Sequence, residues 1–406
     1  MQRRQLLRAW ALSGIASTVS ARTWAAPGKG QPRFLLVFLR GAYDCASLLV
    51  PTARESYDFY ASSRPHIAIA APGEADGALA LDANWGLHPA VGESMLALYV
   101  KKQLAFVPFA GINDLTRSHF ETQDAIELGQ SEQGQRNFNS GFLNRLAKVL
   151  GAEPAHAVQA MAFTDALPLS LRGSAPASNM ALAKVGRAGV SPAQAKTIAA
   201  MYHGTPLGKN VNEGFEVRSE VFKALDEEMQ AASRGAVGAQ GFEVVAQRMG
   251  KLMRERFNLG FVDVGGWDTH VGQGNVHGAL ANRLDALGQG LAGFAQEMGP
   301  AWKETVVIVI SEFGRTFREN GNQGTDHGHG SVYWVLGGAL AAQAGGRVLG
   351  EQVRVAQDTL FQNRDYPVLN EYRAVLGGLF MRLYGLSQAQ AAQVFAGVKP
   401  QDLRLL

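Results

Sequence analysis

Seven side chains of the kind that bind divalent metals sit on four short stretches of the sequence. Asp44 ends Arg40-Gly41-Ala42-Tyr43-Asp44. Asp268 and His270 close Gly265-Gly266-Trp267-Asp268-Thr269-His270. Glu312 lies in Ser311-Glu312-Phe313-Gly314-Arg315, and Asp326, His327 and His329 lie in Asp326-His327-Gly328-His329-Gly330. Four carboxylates and three imidazoles brought together would be too costly to bury unpaired, and they are the donor set of a divalent-metal site. Oxygen and nitrogen donors without sulfur suit zinc, manganese or iron better than a soft metal. The set suffices for one ion or two; in two-metal hydrolases the ions sit ~3.5–4 Å apart and clamp the attacking and leaving oxygens. Taken singly, each acid also reads as a turn aspartate or a helix cap.

A candidate nucleophile stands apart from these residues. Ser118 precedes a helical pattern, and Glu121 follows three residues later. That spacing is a capping box, in which the hydroxyl accepts from a first-turn amide. A helix N-terminus also favours an anionic ligand. The capping role is the simpler one and excludes neither. Arg117, His119 or Arg315 could bring further positive charge to an anionic group there. His88, His203 and His277 read as capping, packed or solvated residues, and the lone Cys45 as a small buried hydrophobe.

The elements that must position these groups alternate in type. Apolar runs over Pro32–Leu39, Leu104–Ala110, Leu259–Val264, Val306–Ile310 and Val332–Leu336 predict strands, with shorter ones over His66–Ala70 and Ala157–Phe163. Helical periodicity predicts helices over Tyr57–Ser62, Leu87–Leu98, Phe138–Leu150, Phe242–Arg256, Gly274–Met298, Leu369–Tyr384 and Gln388–Phe395. The alternation predicts an α/β domain with a mostly parallel central sheet and helices on both faces. Ligands of such sheets bind beyond the carboxyl ends of the strands, where Asp44, Asp268 and Glu312 are expected. Residues 164–241 carry weak strand signals and helical patterns over Pro192–Tyr202 and Val217–Ala231, which predicts a mainly helical insertion.

The first 26 residues are expected to lie outside the fold. Arg3-Arg4 precedes a mildly apolar segment, and Ala25-Ala26 offers small residues for cleavage. This is the pattern of a twin-arginine export signal, so the twin-arginine translocase is an expected partner and the periplasm or exterior the expected location. The apolar segment is too short and polar for a stable span, which needs ~20 apolar residues. Removing it drops Lys+Arg from 38 to 34 against 35 Asp+Glu, so residues 27–406 carry a net charge near −1. No basic run interleaved with aromatics points to nucleic acid. One cysteine excludes an internal disulfide and a cysteine-rich zinc knuckle.

Six segments together resemble a known family. They are Phe38–Asp44 (FLRGAYD), Gly86–Ala90 (GLHPA), Arg117–Glu121 (RSHFE), Gly265–His270 (GGWDTH), Ser311–Thr316 (SEFGRT) and Gly324–Gly330 (GTDHGHG). With these, the chain is similar to the bacterial domain-of-unknown-function 1501 family, which in turn resembles the alkaline phosphatase and sulfatase superfamily. The resemblance implies a metal centre at the strand ends of an alkaline-phosphatase-like sheet. It matches Asp44 to the first-strand metal aspartate, Ser118 to the nucleophile position, Asp268 and His270 to a metal pair, and His327 or His329 to a later metal histidine. Glu312-Phe313 departs from the superfamily's Asp-His at that strand end. The expected function is an exported metal-dependent hydrolase of small-molecule or glycan phosphate or sulfate esters, with metal-activated Ser118 or water as nucleophile. The alternative is a non-catalytic exported protein of the same fold that binds a glycan, an envelope component or another exported protein.

Overall fold

The computed structural model describes residues 30–130, 136–152, 158–182, 192–215 and 241–406. The expected export segment over 1–26 and the expected helix over 217–231 lie outside them. Strand β1 (Arg33–Leu39) reads RFLLVFL with no polar alternation, because both of its faces are covered. Leu35, Val37 and Leu39 enter one core, and Phe34, Leu36 and Phe38 the other. The remaining strands are β2 (Leu49–Pro51), β3 (Leu79–Ala80), β4 (Trp85–Leu87), β5 (Leu104–Gly111), β6 (Ala160–Ala162), β7 (Ala177–Asn179), β8 (Leu259–Val264), β9 (Thr305–Ser311), β10 (Ser331–Leu336), β11 (Arg347–Val348) and β12 (Asn370–Glu371).

Nine of these strands form one mixed sheet in the order β11-β5-β10-β9-β1-β8-β6-β7, with β12 also paired to β5. Strand β10 runs antiparallel to both neighbours, and the other pairings are parallel. Helices Phe242–Glu255 and Ala279–Met298 cover the first face with Met249, Leu252, Leu284 and Leu291. Helices Phe142–Gly151 and Tyr372–Tyr384 cover the second with Phe142, Leu146, Leu376 and Phe380. This is the expected α/β architecture. Each fully buried Leu, Ile or Phe contributes roughly 1.5–3 kcal/mol, so the strand ends are set on a stiff platform.

Several local expectations are corrected. Residues 66–70 form no strand: Pro65 lacks an amide, and the amides of His66 and Ile67 donate to the Glu319 carboxylate at 2.9 and 3.2 Å. The helix expected over Leu87–Leu98 is an irregular run that starts after β4. The His88 imidazole accepts from the Ala90 amide at 3.0 Å and so caps its first turn. The helix expected from Gly274 begins at Ala279, because Gly274 and Gly278 take left-handed φ values of 81° and 119°. Inside the expected helical insertion, Ala177–Asn179 is an edge strand. Its Ala-Ser-Asn sequence carries no apolar signal, and its partner β6 supplies the order. A separate small sheet is formed by β2, β4 and β3. No helix among the described residues is long and apolar enough to cross a membrane.

Candidate metal centre

The parallel strands β5, β9, β1 and β8 end on one edge of the sheet, and antiparallel β10 begins there. His119 is the first residue of helix His119–Leu128, with Ser118 as its N-cap, on the chain that leaves β5. Asp268 and His270 lie on the loop after β8. Glu312 follows β9 directly, and His327 precedes β10 by four residues. The β9–β10 connection folds back on itself: the Gly314 amide donates to the His329 carbonyl at 2.8 Å, and the Gly328 amide to the Gly314 carbonyl at 2.9 Å. Side chains would prevent this. A Cβ on Gly314 would fall 1.9 Å from the Gly330 carbonyl oxygen, and one on Gly328 would fall 2.4 Å from the Arg315 carbonyl carbon.

Three imidazoles and one carboxylate converge at this rim. His119, Asp268 and His327 each offer a ligand atom within 4.8 Å of the others. His270 adjoins them: its Nε2 lies 2.9 Å from Asp268 Oδ1 and 3.1 Å from His327 Nε2. The opposite ring nitrogens are all held. His119 Nδ1 meets Glu312 Oε1 at 2.8 Å, His270 Nδ1 meets Asp326 Oδ1 at 3.2 Å, and His327 Nδ1 meets the Arg117 carbonyl at 3.0 Å. Carbonyl and carboxylate oxygens only accept, so the Nδ1 of His119 and of His327 carries a hydrogen, and a neutral ring then leaves Nε2 as a bare lone pair; His270 faces a carboxylate from both nitrogens, and Arg315 Nη1 lies 3.5 Å from its Nε2. Two such lone pairs facing one carboxylate repel it unless a cation lies among them. His119 Nε2 is buried without any hydrogen-bond partner. This set fits a divalent ion of the kind imidazole and carboxylate bind, with the outer partners that metal-ligating histidines ordinarily have.

The electrostatics follow from these contacts. The hydrogen bond that His119 donates to Glu312 raises the His119 pKa, against burial, with Asp268 adding to the rise. Burial lowers that of His327, and His119 and Arg315 lower it further. Burial opposes charge on Asp268, but the Arg315 guanidinium beside it, then His270, His119 and His327, hold its carboxyl below the usual range. Arg315 Nη2 donates to Asp268 Oδ1 at 2.7 Å. Phe313 stacks on His119 with centroids 5.1 Å apart and lies 5.3 Å from the His327 ring.

The other expected ligands stand outside this group. Asp44 is wholly buried in an ion pair with Arg64: Nη1 meets Oδ2 at 2.6 Å and Nη2 meets Oδ1 at 3.0 Å, while Ser47 and Gln273 also donate to Oδ2. A guanidinium thus faces the carboxylate where a metal was expected. Glu312 accepts at Oε1 from the Gly41 amide, His119 and Gln123, and its Oε2 lies 2.9 Å from the Ser311 hydroxyl, so it orients His119 from outside the cluster. Asp326 accepts from His270 and Asn320 in the same supporting way. His329 is buried against Phe361.

The expected catalytic side chains are likewise placed. The Ser118 hydroxyl accepts from the Glu121 amide at 3.5 Å as a weak cap. The Arg117 guanidinium binds Gln362 and the buried Asp365, and its contribution to the cluster is its carbonyl, held at a strained φ of 51°. The Arg315 side chain is buried beneath Asp268, with no exposed surface. His119 was expected to lend charge and instead offers a ligand atom. Gln123, Arg64 and Gln273 carried no sequence signal, because an isolated amide or arginine on a helix or loop names no partner. Cys45 is buried as expected, its thiol pushed up to about 12 by burial and then by Asp44.

A family model described as "Protein of unknown function (DUF1501)" matches residues 31–398, and the chain belongs to that family. No curated protein matches it. A solved structure similar to it is described as "Crystal structure of Ps i-CgsB in complex with k-i-k-neocarrahexaose"; the two share 9% identity over 89% of this chain and 74% of that one, with a TM-score of 0.40.

Two stability predictions come from this geometry. Gly328→Ala should destabilise the fold by more than the ~1–3 kcal/mol of ordinary overpacking, since backbone has to move; urea unfolding measures it, and a wild-type midpoint would refute the close approach. Arg64→Met should cost about 3–5 kcal/mol by leaving Asp44 charged, buried and unpaired. Burial opposes the Asp44 charge, but Arg64 outweighs it and depresses the pKa below the ordinary 3.8. The pair's contribution is therefore complete above 3.8 and lost as pH falls through the lower folded value. In Arg64→Met burial raises the Asp44 pKa instead, so the gap between wild type and variant should be widest at high pH and narrow steadily as pH falls from the variant's raised value to the wild type's depressed one.

Proposed function

We propose that this DUF1501 chain is an exported metal-dependent hydrolase of phosphate or sulfate esters, with one divalent ion held by His119, Asp268, His270 and His327. The observation that carries the proposal is the meeting of three Nε2 atoms on one carboxylate, with His119 Nε2 buried and unpartnered. A bound ion there would polarise the ester and lower the pKa of a water or hydroxyl. Imidazole-rich donors favour zinc over manganese. A single ion is supported because Arg64 already holds Asp44, and Gly41, His119 and Gln123 already hold Glu312 Oε1.

The chain's own residues do the remaining work. Glu312, Asp326 and the Arg117 carbonyl hold the three Nδ1 atoms and so aim the rings. Arg315 balances and fixes Asp268 from below. Phe313 closes the side of the His119 and His327 rings. Water is the favoured nucleophile, since the Ser118 hydroxyl caps its helix and no hydrogen bond to a base activates it. Asp268 and His270 are 43% and 40% exposed, which leaves the cluster open to a substrate. The ester class rests on the resemblance to the alkaline phosphatase and sulfatase superfamily, and export by the twin-arginine translocase on the leading Arg3-Arg4 segment. The pairing of Asp44 with Arg64, at the position matched to that superfamily's metal aspartate, favours a second reading. In it the centre is structural and the protein binds a glycan, an envelope component or an exported partner.

Elemental mass spectrometry of exported protein purified without chelator or histidine tag should find about one divalent ion per chain, and none in Asp268→Ala/His327→Ala. Absence of metal after reconstitution would sink the proposal. A panel of phosphate and sulfate esters should show turnover that a chelator abolishes and added metal restores; metal without any turnover would leave the binding role. Ser118→Ala should lose about 1 kcal/mol of stability as a removed cap yet keep most turnover. A loss of roughly a thousandfold or more would make the serine the nucleophile instead.

A further inference from the structure

We infer that Gln273 is a positioning residue that locks the loops of the candidate centre to one another from beneath. Its side chain is fully buried and uses both ends of the amide. Nε2 donates to Asp44 Oδ2 at 2.7 Å. Oε1 accepts from Thr269 Oγ1 and from Thr325 Oγ1, both at 3.1 Å. Thr269 sits between Asp268 and His270, and Thr325 is two residues before His327. One amide oxygen therefore ties the loop after β8 to the loop before β10. The backbones add two links, from the Gln273 amide to the Gln323 carbonyl at 3.0 Å and from the Thr325 amide to the Thr269 carbonyl at 3.2 Å.

The third loop joins through the ion pair. Arg64 holds Asp44 and also donates from Nε to the Phe317 carbonyl at 2.6 Å and from Nη2 to the Thr316 carbonyl at 3.2 Å. That fixes the chain just after Arg315, the residue that grips Asp268. The bracket Arg64–Asp44–Gln273 thus sets the spacing of Asp268, His270, His327 and Arg315 without touching a substrate. Hydrogen bonds in a buried network depend on one another, so loss of the amide would leave two hydroxyl hydrogens and one carboxylate lone pair unpaired.

The test compares Gln273→Leu with Asn144→Leu. Asn144 is a similarly buried amide that braces the Leu171 and Ala175 carbonyls, outside the loops that Gln273 joins. Thr325→Val, a near-isosteric loss of one hydroxyl, serves if Gln273→Leu fails to fold. Two readouts are taken: amide hydrogen exchange in residues 267–272 and 324–329 of metal-free protein, and cobalt(II) affinity with its visible spectrum. Gln273→Leu and Thr325→Val should speed exchange in both loops together. They should also weaken cobalt binding by about 10–100-fold, as losses of outer-shell support do, and alter the spectrum. Asn144→Leu should lower the Tm and change neither readout. Wild-type exchange in both loops of Gln273→Leu or Thr325→Val would overturn the bracket. The cobalt arm rests on the metal reading, and a wild type that binds no cobalt overturns that reading alone, because the exchange arm still decides the bracket.

Discussion

An imidazole has two nitrogens and, when neutral, one hydrogen, so whatever takes the hydrogen at Nδ1 decides what Nε2 can do. Everything at the rim of this sheet depends on that constraint. Glu312, Asp326 and the Arg117 carbonyl are acceptors only, and each faces the Nδ1 of a different ring. The three Nε2 atoms are turned inward onto Asp268. The sheet supplies the coincidence: parallel strands deliver their loops to one edge, and the loops need only to be held at the right height.

Charge is balanced within the same few layers. Asp44 is opposed by Arg64, Asp268 by Arg315, and Asp365 by Arg117 and Arg364. Glu312 has no guanidinium, and four donors share its charge instead. Buried carboxylates left alone would titrate or pull in water. Here each is fixed, so the acids nearest the cluster act as rigid acceptors. The cost of a charge without a partner is higher than the gain from forming the pair, so the arrangement resists piecemeal change.

The sheet was legible because continuous apolar runs such as Leu259–Val264 leave little choice of structure, and because acids at their ends mark the rim. Asp268, His270 and His327 were legible as candidates from residue type and from their glycine-rich settings, and the structure brings them together. Which acid would bind and which would support was not. Asp44 and Glu312 look alike in sequence, and the difference lies in Arg64 and in His119 with Gln123, which are 20 or more residues away. Ser118 shows the reverse case. Its spacing to Glu121 announced a cap, the cap formed, and a hydroxyl used in that way is less free for chemistry.

The lone antiparallel strand has a consequence of another kind. Because β10 pairs directly with β9, Glu312, Arg315, Asp326 and His327 all belong to one hairpin connection. Its closure joins residues near in sequence, so it needs little loop entropy, whereas His119 arrives through the antiparallel pairing of the distant β5 with β10 and Asp268 through the parallel pairings of β1 with β9 and β8. Half of the rim can therefore assemble early as a local unit and wait for the rest. A chain caught at that stage would present His327 with no Asp268 to face, so a fully formed cluster would report that the distant crossovers have closed.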